Sequence, residues 1–227
     1  MPSRYDRLHG IRILFEDAYV LVIEKPAGML STHTKVIGLA AREAQLTAEN
    51  VLTDYVRKGQ WKSPKRAWLV HRLDRETSGV MMFAKDRSTA EKLRERWNET
   101  TEKTYLAIVE GQMKEEGGVF ESFLKEDADG YRVRSVREGM EGAKKAVTAW
   151  RRLTPFGGTT RGGMMVEVKL HTGRKNQIRV HFAEAGHPVV GDVKYGAKKA
   201  ERLFLHSLKL KFIHPVTGKS LEFTTES

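Results

Sequence analysis

The segment His71-Arg72-Leu73-Asp74-Arg75-Glu76-Thr77-Ser78-Gly79 sets two arginines, an aspartate and a glutamate between two apolar runs, residues 67–70 and 80–84. Each flank reads as a buried strand. A carboxylate at the end of a strand can be a nucleophile, a general base or a partner for Arg72 or Arg75. Thr77-Ser78-Gly79 is the kind of sequence that fixes a tight turn through side-chain-to-backbone hydrogen bonds. A fixed turn holds Asp74 in one place, which catalysis needs and a surface ion pair does not.

A second concentration of chemistry lies in residues 171–192, where Arg174, Lys175 and Arg179 are basic. Arg179 stands three residues before Phe182, at the edge of a helical apolar face. There it either snorkels along the surface or holds a buried carboxylate ionised. His171, His181, His187, His206 and His214 invite a metal, but their spacings match no zinc signature and cysteine is absent. No Walker A segment, dinucleotide-binding glycine pattern or nucleophile elbow is present either. No metal or cofactor site is therefore expected. A third pattern interleaves basic and aromatic residues: Trp61, Lys62, Lys65, Arg66 and Trp68 lead into His71, Arg72 and Arg75, and Lys194, Tyr195, Lys198, Lys199 and Arg202 follow later. These read as phosphate contacts along a groove, with flat rings for stacking. The plain alternative is a solvated face over a buried tryptophan, favoured for Trp68 and left even for Trp61.

These residues need a scaffold, and 227 residues with 40% hydrophobic side chains can build one. The net charge of +11, from 40 Lys+Arg against 29 Asp+Glu, points to polyanionic partners. No apolar run approaches a membrane span and the first residues lack a signal-peptide core, so a cytoplasmic protein is expected. Residues 11–15 and 19–24 predict a hairpin, broken by Pro26 and Gly28. Residues 47–58 predict a helix with Val51, Leu52, Tyr55 and Val56 on its apolar face, and Ser88 with Glu91 predicts a capping box opening a second helix. Residues 103–109, 147–153 and 164–170 read as strands, and 126–145 as a loop or mobile hairpin. Residues 157–163 read as a flexible connection. Asn176 is expected to cap a helix carrying Ile178, Phe182 and Ala185, and the tail returns to strands at 203–205, 208–213 and 221–224. The pattern predicts an α+β domain on a mixed or antiparallel sheet.

At this point the motifs resemble those of one family, the RluA-type RNA pseudouridine synthases. HRLDRETSG at 71–79 resembles its second motif, KPAG at 25–28 its first, and EKTYLAIV at 102–109 the strand that follows. TGRKNQIRVHFAEAGHPVVGDVKYG at 172–196 resembles the third motif and LHSLKLKFIHP at 205–215 the closing one. The matches run in family order from about residue 11 to 224. The resemblance implies a mixed, mainly antiparallel sheet with flanking helices and loops around a central RNA-binding cleft. It implies an enzyme that isomerises uridine in rRNA or tRNA to pseudouridine, without metal or organic cofactor. Asp74 matches the family's essential aspartate, Tyr105 its active-site tyrosine, and Arg179 the arginine that pairs with the aspartate. Arg72 matches a residue that helps displace the target base, and Leu205 the apolar lining of the uracil pocket. His71, Arg174, Lys175, Lys198 and Lys199 complete the expected RNA contacts.

Two departures from the pattern stand out. Arg174-Lys175-Asn176-Gln177 replaces the common Arg-Thr-His-Gln or Arg-Ser-His-Gln, and only about ten residues precede the first strand, too few for an S4-type RNA-binding domain. A single catalytic domain over residues 1–227, acting as a monomer on an RNA stem-loop with neither DNA nor membrane as partner, is the expectation. Asp74 either attacks the nucleoside or removes a sugar proton; the sequence is compatible with both. The alternative function is a non-catalytic RNA-binding or ribosome-assembly protein on the same fold, which predicts the same basic surface but has no use for Asp74, Tyr105 and Arg179.

Overall fold

Residues 20–23 are all apolar, and residues 20–25 form a strand that is buried at nearly every position and carries the chain into the first motif. β1 (Arg12–Glu16) pairs antiparallel with β2 (Val20–Lys25). Asp17 fixes the turn between them by accepting the amide N–H groups of Tyr19 and Val20, each at 2.7 Å. The computed structural model describes residues 8–33, 45–156 and 162–226. The chain divides into two compact units, Met1–Thr101 with Lys209–Ser227, and Glu102–Leu208.

In the first unit, α1 (Ala48–Arg57) begins at Thr47, whose side chain accepts the Asn50 N–H at 3.1 Å, and ends at Lys58 in the left-handed conformation. It buries Ala48, Val51, Leu52 and Val56; Tyr55 instead turns its hydroxyl to Glu16 at 2.7 Å. β3 (Trp68–Leu69) and β2 both pair antiparallel with β4 (Ser78–Ala84), every residue of which is buried. The expected capping box at Ser88 is displaced. α2 (Arg87–Glu95) is capped by Asp86, which accepts the Thr89 N–H at 2.8 Å, while Glu91 pairs with Arg87. A carboxylate is the stronger acceptor for the orphan amides, so the helix starts one residue before Ser88. A short α3 (Trp97–Thr100) follows. The two tail strands expected around residues 203–213 are one, β10 (Leu205–Ile213), and its residues 209–213 pair with β11 (Ser220–Thr224). Val20, Val22, Val80, Met82, Leu93 and Phe212 pack into one core cluster of this unit.

The strands of the second unit pair antiparallel, in an order that differs from their order along the chain. β5 (Thr101–Glu110) pairs with β9 (Gly163–Leu170), and β9 with β8 (Lys144–Phe156). β8 pairs in turn with β6 (Gly117–Glu126), and β6 with β7 (Val133–Val136). Residues 117–126 carry no strand expectation, yet they form β6, and its hairpin with β7 falls within 126–145, where a loop or mobile hairpin is expected. Most of β6 is exposed or half-buried, so its apolar alternation is weak; the pairing with β8, not the pattern, makes it a strand. α4 (Gln177–Glu184) packs Val180 with Leu124, Val133 and Ala146. Of the expected flexible connection, residues 157–161 lie outside the described residues. Antiparallel strands with few helices make the fold α+β.

Candidate active site

Asp74 sits in a turn closed by the Thr77 N–H on the Asp74 carbonyl at 3.2 Å. The backbone on either side of it is pinned by the segment that follows β2. Ser31 Oγ donates to the Leu73 carbonyl at 2.7 Å and accepts the Leu73 N–H at 3.1 Å. Lys25 is fully buried, and its Nζ donates to the carbonyls of Pro26 and Met29, both at 2.8 Å, and of Arg75 at 3.1 Å. The Gly28 N–H reaches the same Arg75 carbonyl at 2.9 Å, and Arg75 Nε returns to the Gly28 carbonyl at 3.1 Å. Gly28 takes φ +82, which favours a residue without Cβ. Leu73 and Arg75 are thus both tied down, with half-buried Asp74 between them.

Burial drives the Lys25 ammonium down to about 8, and the negative charges of Glu76 and Asp74 act against that fall. His71 opens the segment as an anchor. Its Nε2 accepts the Met82 N–H at 3.1 Å, so that nitrogen is unprotonated, and its ring stacks on Trp97 with centroids 4.6 Å apart. Arg72 is exposed, and no carboxylate among the described residues pairs with it. Arg75 also pairs with Glu76 on the turn, at 3.3 Å.

In the second unit Arg179 is held on three sides. Its Nε and one Nη lie 2.6 and 2.7 Å from the two oxygens of Asp192, and its other Nη donates to Asn176 Oδ1 at 3.0 Å. Those bonds take three of the five guanidinium N–H groups. The Tyr195 ring lies beneath at 5.2 Å, and its hydroxyl accepts from the Val133 N–H and Asn176 Nδ2 at 3.1 and 3.0 Å. Burial pushes the Tyr195 hydroxyl up. Asn176 occupies the N-cap position of α4 in the left-handed region (φ 54), but its side chain makes no cap bond. It serves Arg179 and Tyr195 instead. Gln177 organises the preceding turn: its Oε1 accepts from Thr172 Oγ1 and the Arg174 N–H, and its Nε2 donates to Val147 O and Thr148 Oγ1.

Tyr105 is buried in β5 opposite Val168. Lys103 points to the same face two residues earlier and is also buried. Burial first, then the charge of Arg174, lowers Lys103 to about 8. Leu205 is buried at the start of β10. Arg174 Nε donates to the Lys145 carbonyl at 2.9 Å. Lys175 bonds Glu126 and, at 2.6 Å, the Gly130 carbonyl, which ties the third motif to the β6–β7 turn. Lys198 and Lys199 are exposed. The histidines are engaged separately: His181 with Thr148 and Ser122, His187 with the Glu110 carbonyl, His214 with Asp17. Sequence reasoning missed Lys25, Ser31, Asp192 and Tyr195 as positioning residues. A lysine at the end of a strand that opens Val-Leu-Val-Ile was a legible signal for Lys25; Ser31 had none.

The strand-rich α+β fold has counterparts among solved structures. It matches human RNA pseudouridylate synthase domain containing 4 with a TM-score of 0.73 at 25% identity, over 95% of this chain and 88% of that one. The fold also matches human RNA pseudouridylate synthase domain containing 1, at a TM-score of 0.71. The family model described as RNA pseudouridylate synthase matches residues 19–184, which include Asp74, Tyr105 and Arg179. The tRNA pseudouridine synthase C of Vibrio parahaemolyticus is 36% identical over 93% of this chain and 88% of its own length. The ribosomal large subunit pseudouridine synthase D of Zymomonas mobilis is 33% identical over 95% of this chain and 69% of its own. The chain belongs to the RNA pseudouridylate synthase family, in its RluA-type branch, and is an isomerase.

Proposed function

We propose that the enzyme converts uridine in ribosomal or transfer RNA to pseudouridine in the cytoplasm, with Asp74 as the reacting carboxylate. The observation that carries this reading is the turn itself: a half-buried aspartate whose two neighbours are fixed through their backbone by Lys25, Gly28 and Ser31. Such fixing is what a group that must meet one carbon of a bound nucleotide requires. The reaction breaks the bond from C1′ to N1, turns the uracil, forms the bond from C1′ to C5, and removes the C5 proton. Asp74 starts it either by attacking the nucleoside or by taking a sugar proton; both need it ionised in a dry pocket. We assign Arg179 the task of favouring that ionised form against desolvation. Its own orientation is set by Asp192, Asn176 and Tyr195. The target uridine leaves its stack at a cost on the order of a few kcal/mol. Exposed Arg72, on the same pinned turn, is the residue that occupies the vacated space. Leu205 lines the uracil pocket, and His71, Arg174, Lys175, Lys198 and Lys199 serve RNA binding.

Asp74→Asn keeps the shape of the side chain and removes its charge. Pseudouridine formation in bulk tRNA and rRNA falls below detection while RNA affinity stays within a few-fold. Turnover by this variant near the wild-type rate overturns the assignment. In the same assay Tyr105→Phe keeps a ring to stack on the uracil and loses the hydroxyl that handles the C5 proton. It therefore binds RNA but releases tritium from C5-labelled uridine slowly. Release at the wild-type rate leaves Tyr105 a stacking platform only.

A further inference from the structure

After α1 the chain makes a basic loop that the pinned turn does not use. Residues 57–66 read Arg-Lys-Gly-Gln-Trp-Lys-Ser-Pro-Lys-Arg, with five basic residues and no acidic one. The loop is ordered by its own bonds. The Gln60 N–H donates to Arg57 O at 3.0 Å, the Ser63 N–H to Gln60 O at 2.8 Å, and Arg57 Nε to Lys65 O at 3.0 Å. Its far end is fixed by Arg66, which pairs with Glu49 at 3.1 Å and covers the Trp68 ring at 4.6 Å. From this frame Trp61 projects with 77% of its surface exposed, more than any other large apolar side chain described. Lys62 Nζ lies 5.0 Å from its ring. Lys58, Lys62 and Lys65 have no carboxylate partner among the described residues.

We propose that this loop is a second RNA-contact surface, where an unpaired base stacks on Trp61 and Lys58, Lys62 and Lys65 take the flanking phosphates. The proposal rests on the reading of RNA as substrate and adds a place where the RNA is held outside the reacting nucleotide. An indole face beside unpaired ammonium groups has the chemistry of a single-strand platform. A bilayer surface would also take lysines and a tryptophan, but Trp61 and Pro64 are the loop's only apolar side chains. That is too little buried area for stable insertion.

The test uses the full chain with a short labelled oligouridylate, an RNA duplex of the same length, and phosphatidylserine vesicles. Oligouridylate quenches the emission of exposed Trp61, and Trp61→Ala weakens its binding on the order of fivefold or more, with Trp61→Phe losing less. Replacing Lys58, Lys62 and Lys65 together by alanine flattens the salt slope of binding by about 2, at roughly 0.7 per phosphate. The duplex, whose bases are already stacked, is bound without the Trp61 effect. Unchanged affinity and quenching in these variants, with wild-type protein still releasing tritium from C5-labelled bulk RNA, overturns the loop's role alone. Absence of both RNA binding and tritium release in the wild type overturns the functional reading and the loop with it. Trp61-dependent binding to vesicles without a Trp61 effect on RNA overturns the proposal in favour of a membrane contact.

Discussion

Lys25 answers to two demands of opposite sign. Its charge is disfavoured by burial, yet only the ammonium has three N–H groups for the carbonyls of Pro26, Met29 and Arg75. A neutral amine has two, so deprotonation leaves one carbonyl without its donor and loosens the turn that carries Asp74. Activity therefore falls as pH rises through about 8, the value to which burial lowers Lys25. Stability responds the other way. The folded value lies below the unfolded one of 10.5, so between about 8 and 10.5 the unfolded chain holds a proton that the folded chain has lost. This group's contribution to stability rises across that window. Lys25→Met removes both effects, and its turnover at neutral pH drops about tenfold or more, the size expected when a reacting group is misplaced. Rate and denaturation profiles of wild type and variant check this together. A variant with an unchanged alkaline limb shows that Lys25 does not govern the turn.

At the scale of elements, the third motif works as a frame for one guanidinium. Gln177 holds the turn before α4, Asn176 bends into the left-handed region, and Asp192 and Tyr195 arrive from the segment after the helix. That segment depends on Gly191. A Cβ there would lie 1.9 Å from the Arg202 carbonyl oxygen, and the residue has φ +83. Gly191→Ala must move backbone, at a cost on the order of 2–4 kcal/mol. In a chain of this size each kcal/mol lowers Tm by about 2–4 °C. Because Asp192 is the next residue, turnover falls further than RNA affinity does. A thermal melt with paired activity and binding measurements separates the two losses; a variant with wild-type Tm shows that the segment can move at no cost.

The whole molecule carries a net charge of +11, and its RNA binding is expected to weaken steeply with salt. For single-stranded RNA the slope of log K against log salt is about −0.7 per phosphate engaged. Exposed Lys198 and Lys199 lie in the stretch that follows the Arg179 frame. Changing both to alanine flattens the slope by about 1.4 at that value per phosphate. An unchanged slope, measured by titration at several salt concentrations, assigns the phosphates to other residues. Among the described residues no helix is long and apolar enough to cross a membrane.

What the sequence determined by itself is local. The strands around Asp74 and the helix over residues 48–57 were legible because apolar spacing and end residues fix them within a short window. The motif order was legible too, and with it Asp74, Tyr105 and Arg179 as the residues to ask about. The capping box at Ser88 was misread, the strand over 117–126 was missed, and Asn176 takes the expected cap position without a side-chain cap bond, each because a partner elsewhere competes for the same groups. Asp86 outbids a hydroxyl for the amides of α2, β8 pairs along the length of β6 and makes it a strand, and Arg179 with Tyr195 claims the Asn176 side chain. Only the tertiary structure decided that Lys25 and Ser31 hold the turn that carries Asp74 from 42 to 50 residues away, and that Asp192 fixes Arg179. Short-range pattern records which backbone a segment prefers; which distant side chain satisfies its buried polar groups is settled when the chain closes on itself.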